Sequence, residues 1–250
     1  MWEFIIETWL FVSFFAFLTA GTIKGTMGLG LPVAAVGIMA QFIDPKLAIT
    51  LMVFPIVFAN TWQFYRAKNH LLIIKQYWLI ATVVFVSILI ATTFTANISS
   101  TALAAFLGIV IIVFASTNLL FKPPSISARA NQPMQIIFGV AAGIMGGLTA
   151  VFSPPITMYL MGRGVEKDQF VSVSGFIFLV GCIPLTLGFL HNGLLTPTIS
   201  IQSMAMIIPT LMGFSLGELI RKRINAAHFK KIVLIFFFVM GVNLIRKSFM

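Results

Sequence analysis

Residues 143–155 read GIMGGLTAVFSPP, and 122 positions earlier residues 21–33 read GTIKGTMGLGLPV. Laid on one another without a gap, Gly21, Gly25 and Pro32 fall on Gly143, Gly147 and Pro154. Asp44 then falls on Glu166 and Phe54 on Phe176, and later Asn118-Leu119 resembles Asn243-Leu244. Both segments lie in long apolar surroundings, yet each combines backbone-permissive glycines with a proline that cannot donate an N–H. Such a run is a broken helix rather than an ordinary crossing, and its recurrence at a fixed offset is an internal repeat.

The surroundings explain why a broken helix matters. Of 250 residues, 59% are hydrophobic and 9% charged, with 26 Phe, 13 Met and six Asp plus Glu. Ordinary soluble domains carry about 25% charged residues. The mean hydropathy is +1.05. This composition excludes a soluble fold and a disordered chain and predicts an all-α polytopic membrane protein. Apolar runs without alternation exclude a porin-type barrel. The net charge is +10, but the basic residues sit between apolar stretches. The positive-inside rule therefore accounts for them, and no nucleic acid partner is expected. Residues 1–10 hold Glu3 and Glu7 and no Lys or Arg, unlike a cleavable signal, while Trp2 and Trp9 suit a membrane interface.

The apolar stretches are roughly 4–23, 31–43, 47–65, 71–96, 101–121, 134–162, 169–190, 197–217 and 231–245. A crossing needs about 20 residues. Stretch 31–43 is too short, and 134–162 is interrupted by Gly143, Gly146, Gly147, Pro154 and Pro155. Loop charge sets the relation between the copies. Arg66, Lys68 and Lys75 follow the third stretch, whereas the equivalent loop near 190–197 has no Lys or Arg. The loop at 97–101 has none, whereas its equivalent holds Arg221, Lys222, Arg223, Lys230 and Lys231. The basic side swaps, so the copies are expected to be inverted. The predicted fold is two inverted repeats, 1–121 and 134–250, joined by a cytoplasmic linker at 122–133. Each is a re-entrant broken-helix hairpin followed by three transmembrane helices. The hairpins span about 12–43 and 134–162 and turn at Gly28–Pro32 and near Ala150–Pro155. This topology places 12 of the 16 basic residues in the cytoplasm, Lys46, Arg246 and Lys247 outside with both termini, and Lys24 within the membrane. The chain is then a multi-pass protein of the plasma or inner membrane.

Non-helical backbone at membrane depth is tolerated only inside protein or along a cavity. The two turns are therefore expected to meet near the midplane, where the helices that follow present N–H groups and positive dipole ends to an anion. Gly28, Gly30, Pro32, Ser153 and Pro154 are the turn candidates. Gly21, Gly25, Gly143 and Gly147 read instead as packing notches. Lys24 has no acid within ten positions on either side, and a cation at such depth costs about 2.5–3.5 kcal/mol on insertion scales. It is expected to attract the anion or to bond carbonyls near the turn. Asn60 and Gln63, one turn apart below Pro55, are polar candidates on the next helix, with end-capping the alternative for Gln63. Asn118 and Asn243 read as interhelical glue.

No dinucleotide, P-loop, triad, carboxylate-pair or zinc spacing is present, so no catalytic residue, metal or cofactor is expected. Cys182 has no disulfide partner, and His70, His191 and His228 are scattered.

The chain resembles the sulfite exporter TauE/SafE family of permeases. The resemblance is carried by AGTIKGTMGLGLPV (20–33), PIVFANTWQFYR (55–66), GVAAGIMGGLTAVFSPPITMYLMGRGVEKDQF (139–170) and GELIRKRINAAHFKKIVLIFFFVMGVNLI (217–245). It implies transport of a sulfur-containing anion such as sulfite or a sulfonate. The family often has glycines just before the second proline, where this chain has Val151-Phe152-Ser153. Phe152 in place of Gly30 suggests an aromatic wall for a bulkier anion. The expectation is a secondary permease for a small anionic substrate, bound near the midplane between the turns. An anion channel or a carrier of a non-sulfur carboxylate is the alternative. H+ or Na+ as coupling ion, the direction of transport and the oligomeric state are left open.

Overall fold

A computed structural model describes residues 2–120, 125–221 and 223–249, with the side chains of 2–8, 167, 168, 226 and 227 excepted. The described residues form twelve α-helices and no strand. In chain order they are α1 (Trp2–Met27), α2 (Leu31–Met39), α3 (Pro45–Leu51), α4 (Val53–Tyr65), α5 (His70–Thr95) and α6 (Ser100–Leu120), then α7 (Asn131–Thr149), α8 (Ser153–Gly162), α9 (Lys167–His191), α10 (Pro197–Ala205), α11 (Ile207–Arg221) and α12 (Ala226–Ser248).

Among the described residues, seven segments are long and apolar enough to cross a membrane: Trp9–Met27, Pro45–Tyr65, His70–Thr95, Ser100–Leu120, Gln169–His191, Pro197–Arg221 and His228–Ser248. Six correspond to the expected spans. Trp9–Met27 is a seventh by length and composition, where the expected fold has the entering arm of the first re-entrant hairpin. Many large apolar side chains on these helices face outward, among them Ile90, Phe94, Leu187, Ile208 and Val239. That surface suits lipid and not water.

Helix α1 stops at Met27 and α2 starts at Leu31; α7 stops at Thr149 and α8 starts at Ser153. Both boundaries repeat at an offset of 122. The stop is an αL cap in each case. Gly28 (φ 78°) donates its N–H to the Lys24 carbonyl at 2.7 Å, and Ala150 (φ 58°) donates to the Gly146 carbonyl at 2.8 Å. Glycine takes this conformation freely, whereas alanine bears a cost of roughly 1–2 kcal/mol. Each return helix then has proline in its first turn, Pro32 or Pro154, where a missing N–H costs no helical bond.

The chain divides into two compact units, and each draws on both halves of the sequence. The first holds the residues up to Pro55, Ile98–Leu119 and those from Thr196 onward. Here α1 lies on α11 through Gly21, Gly25, Gly213 and Gly217. A Cβ on Gly21 would overlap the Thr210 carbonyl oxygen, and one on Gly25 that of Phe214. Thr26 Oγ1 donates to the Gly217 carbonyl at 3.2 Å. In the same unit Pro55 leaves the Leu51 carbonyl without its helical donor. Ser203 Oγ donates to that carbonyl at 2.8 Å and accepts from the Phe54 N–H at 3.1 Å. At the far end of the hairpin Asn243 Nδ2 donates to Gln41 Oε1 at 2.6 Å, and Lys247 Nζ donates to the Gln41 carbonyl at 2.8 Å. Asn243 thus ties helices together as expected. Asn118 instead donates to Phe114 of its own helix, because a carbonyl one turn back lies within reach.

The second unit holds Ile56–Asn97 and Leu120–Leu195. Here α7 lies on α5 through Gly139, Gly143 and Gly147. A Cβ on Gly143 would overlap Ser87, and one on Gly147 would come within 2.5 Å of the Ala91 Cβ. Thr95 Oγ1 donates to the Gly147 carbonyl at 2.8 Å. The notch reading of these glycines therefore holds in both units. Of the expected linker, residues 122–124 lie outside the described residues and 131–133 already belong to α7. Between them, Ile126 donates its N–H to the Gly162 carbonyl at 2.8 Å and accepts from Arg163 Nη1 at 2.7 Å.

Candidate functional site

The candidates fall in two groups, one in each unit. In the first unit, Lys24 lies in the last turn of α1 and is 7% exposed. A cation there also complements the carbonyl end of the helix. Gly28 and Gly30 hold positive φ values, 78° and 93°. A Cβ on Gly30 would meet only ordinary contacts, Ile23 Cγ2 at 3.4 Å and Phe237 at 3.7 Å. Glycine is therefore required there by its backbone angle and not by lack of space. Pro32 is buried in the first turn of α2.

In the second unit, Asn60 is 1% exposed and its Nδ2 lies 3.6 Å from Cys182 Sγ. Gln63 donates to the Val171 carbonyl at 2.6 Å and to Ser174 Oγ at 3.1 Å. Gln63 therefore fastens α4 to α9, and neither a free end nor a cap describes it. Gln63, three positions after Asn60, meets α9 residues that lie eight and eleven positions before Cys182, so the order of contacts is reversed along the two helices where they touch.

Ser153 and Pro154 are buried at the start of α8. The Ser153 hydroxyl has no hydrogen-bond partner among the described residues. Thr157, one turn further along α8 and 1% exposed, also has an unpartnered hydroxyl. Sequence reasoning passed over Thr157; the signal was a second hydroxyl four positions after Ser153, on the same helix face. Ala150, the counterpart of Gly28, lies at the start of the second turn as expected. Phe152 is itself buried, at 1% exposure. Its ring packs on Phe178 at 5.2 Å, and its Cβ would lie 2.7 Å from a Cβ on Gly146.

A family model described as "Sulfite exporter TauE/SafE" matches residues 13–244. The chain belongs to the TauE/SafE family. The match covers both interrupted helices and all the candidate residues, and it makes the chain a multi-pass membrane transporter. No curated protein and no solved structure matches it. In this TauE/SafE chain no group of three or more His, Cys, Asp or Glu could hold a metal ion among the described residues.

Proposed function

We propose that this chain is a secondary permease for a small sulfur-containing anion such as sulfite or a sulfonate. The observation that carries the reading is the pair of helix breaks, residues 28–30 and 150–152, within a TauE/SafE chain. Each lies between apolar helices and is followed by a helix start with proline in its first turn. Helix starts favour negative charge, and interrupted helices are how many carriers bind ions at membrane depth. Within the first unit the candidates for the anion are Lys24, Gly28, Gly30 and Pro32, and within the second unit they are Ser153 and Pro154. Asn60 and Gln63 remain polar candidates on α4, and both touch α9.

Inverted repeats are part of the same proposal. Asn60 and Cys182 are counterparts at the 122-residue offset, and they touch. Helices α4 and α9 are likewise counterparts, and their contacts follow one another in opposite order along the two helices. Copies related by an axis along the membrane normal would set counterpart helices parallel. Counterparts that meet at equivalent residues with reversed contact order support an axis in the membrane plane.

The test is uptake into proteoliposomes. Saturable uptake of radiolabelled sulfite or a sulfonate, with counterflow from preloaded vesicles, is expected. Unitary currents without saturation would make the protein a channel, and uptake of acetate in place of the sulfur anions would reassign its substrate class.

A further inference from the structure

The buried threonines of this protein follow one habit. Thr26, Thr50, Thr92, Thr95, Thr149 and Thr210 each donate a hydroxyl hydrogen bond to a backbone carbonyl. A helical threonine has such a carbonyl three or four residues back. Thr157 is as deeply buried and has the same opportunity toward the Ser153 carbonyl, yet its hydroxyl bonds to nothing among the described residues. The Ser153 hydroxyl is equally unpartnered at 3% exposure. An unsatisfied buried hydroxyl carries a real desolvation cost, and two on adjacent turns of one helix face compound it.

Their position indicates what they await. Ser153 is the first residue of α8, and the ten-residue helix continues with Pro154 and Pro155. Two of the donors that a helix start normally offers are therefore missing. Side chains on a helix lean toward its N-terminus, so Thr157 leans back over the turn that Ser153 begins. The two hydroxyls stand where the proline N–H groups cannot serve. The positive end of the helix dipole favours an anion there over a cation. On the first hairpin the counterpart positions are Leu31 and Ala35, both fully buried and apolar.

We propose that the Ser153 and Thr157 hydroxyls jointly donate to the oxyanion head group of the transported solute, making α8 a side-chain donor surface for the anion. This rests on the permease reading above and adds a donor, Thr157, and an asymmetry to it. A head group with two or more acceptor oxygens, as in sulfite or a sulfonate, can take both hydroxyls at once.

The experiment is equilibrium binding to the purified full-length protein, with sulfite, methanesulfonate and benzenesulfonate as probes and thermal unfolding recorded without ligand. Thr157→Val keeps the shape and removes the hydroxyl. It should weaken the best-bound probe at least tenfold, and Thr157→Ser should restore affinity to within about threefold. Unliganded Thr157→Val should unfold at the same or a higher temperature, because an unpartnered buried hydroxyl has been removed. Weaker binding without lower stability is a signature that a structural hydroxyl does not produce. Wild-type affinity in Thr157→Val would overturn the proposal. So would failure of Thr157→Ser to rescue, or a change confined to Na+ dependence, which would make the pair a cation ligand. If the wild-type protein binds none of the three probes, the permease reading falls and this proposal falls with it.

Discussion

At the scale of single residues, the two interrupted helices are alike in backbone and opposite in side chains. Lys24 and Gly30 on the first correspond to Gly146 and Phe152 on the second. On the second hairpin the large residue ends the break and packs over the small one before it, so that a Cβ on Gly146 would lie 2.7 Å from that of Phe152. On the first hairpin the large residue, a cation, precedes the break and the small one ends it. The exchange leaves one hairpin with a charge and the other with hydroxyls. Lys24→Gln keeps most of the side-chain length and removes the charge. If Lys24 draws the anion, this variant should bind sulfite or the best sulfonate about tenfold or more weakly while remaining folded, since removing a buried cation relieves desolvation. Unchanged affinity in titration calorimetry, with normal size-exclusion elution, would make Lys24 a structural partner of the helix end. Lys24 was legible because a lone cation in an apolar run is costly wherever it points. Thr157 was not, because threonine in a helix is ordinary until its missing carbonyl partner is seen.

At the scale of elements, close approach and repaired breaks hold the helices. The Gly21/Gly25 pair on α1 and the Gly143/Gly147 pair on α7 each let a neighbouring helix come within backbone distance. Gly147→Val would press on Ala91, Ile88 and Thr92, and Gly25→Val on Phe214 and Gly217. Each should cost about 1–3 kcal/mol through overpacking, seen as a lower thermal-unfolding midpoint without ligand. A normal midpoint in both would mean that the helices separate cheaply. The bend at Pro55 gives a second prediction. Ser203→Ala leaves the Leu51 carbonyl without its donor, at a cost of about 1–3 kcal/mol, whereas Ser203→Thr keeps the hydroxyl and should lose less. Both glycine pairs could be read as notches from the spacing alone. Ser203 could not be found in this way, because it lies 148 positions beyond Pro55 and only folding brings the two together.

At the scale of the whole molecule, topology is the decisive expectation. In a Cys182→Ala background, single cysteines at Lys68, Asn97, His191 and Arg223, all at exposed positions, can be labelled with an impermeant reagent. Cysteines 68 and 223 should label from one side and 97 and 191 from the other; labelling of 68 and 191 from the same side would end the inverted-repeat reading. By itself the sequence determined the membrane setting, the six expected spans, the two breaks and the 122-residue offset. These are local or compositional properties: length of apolar run, loss of an N–H, a backbone angle open to glycine. Tertiary structure alone decided which helices share a unit, and the answer crosses the two halves, with α1 on α11 and α5 under α7. It alone set Gln63 on α9, folded Phe152 over Gly146 and left two hydroxyls on α8 without partners. The physical reason is that hydrogen-bond satisfaction and close packing belong to pairs of groups, and the partners here lie up to 206 positions apart in the chain.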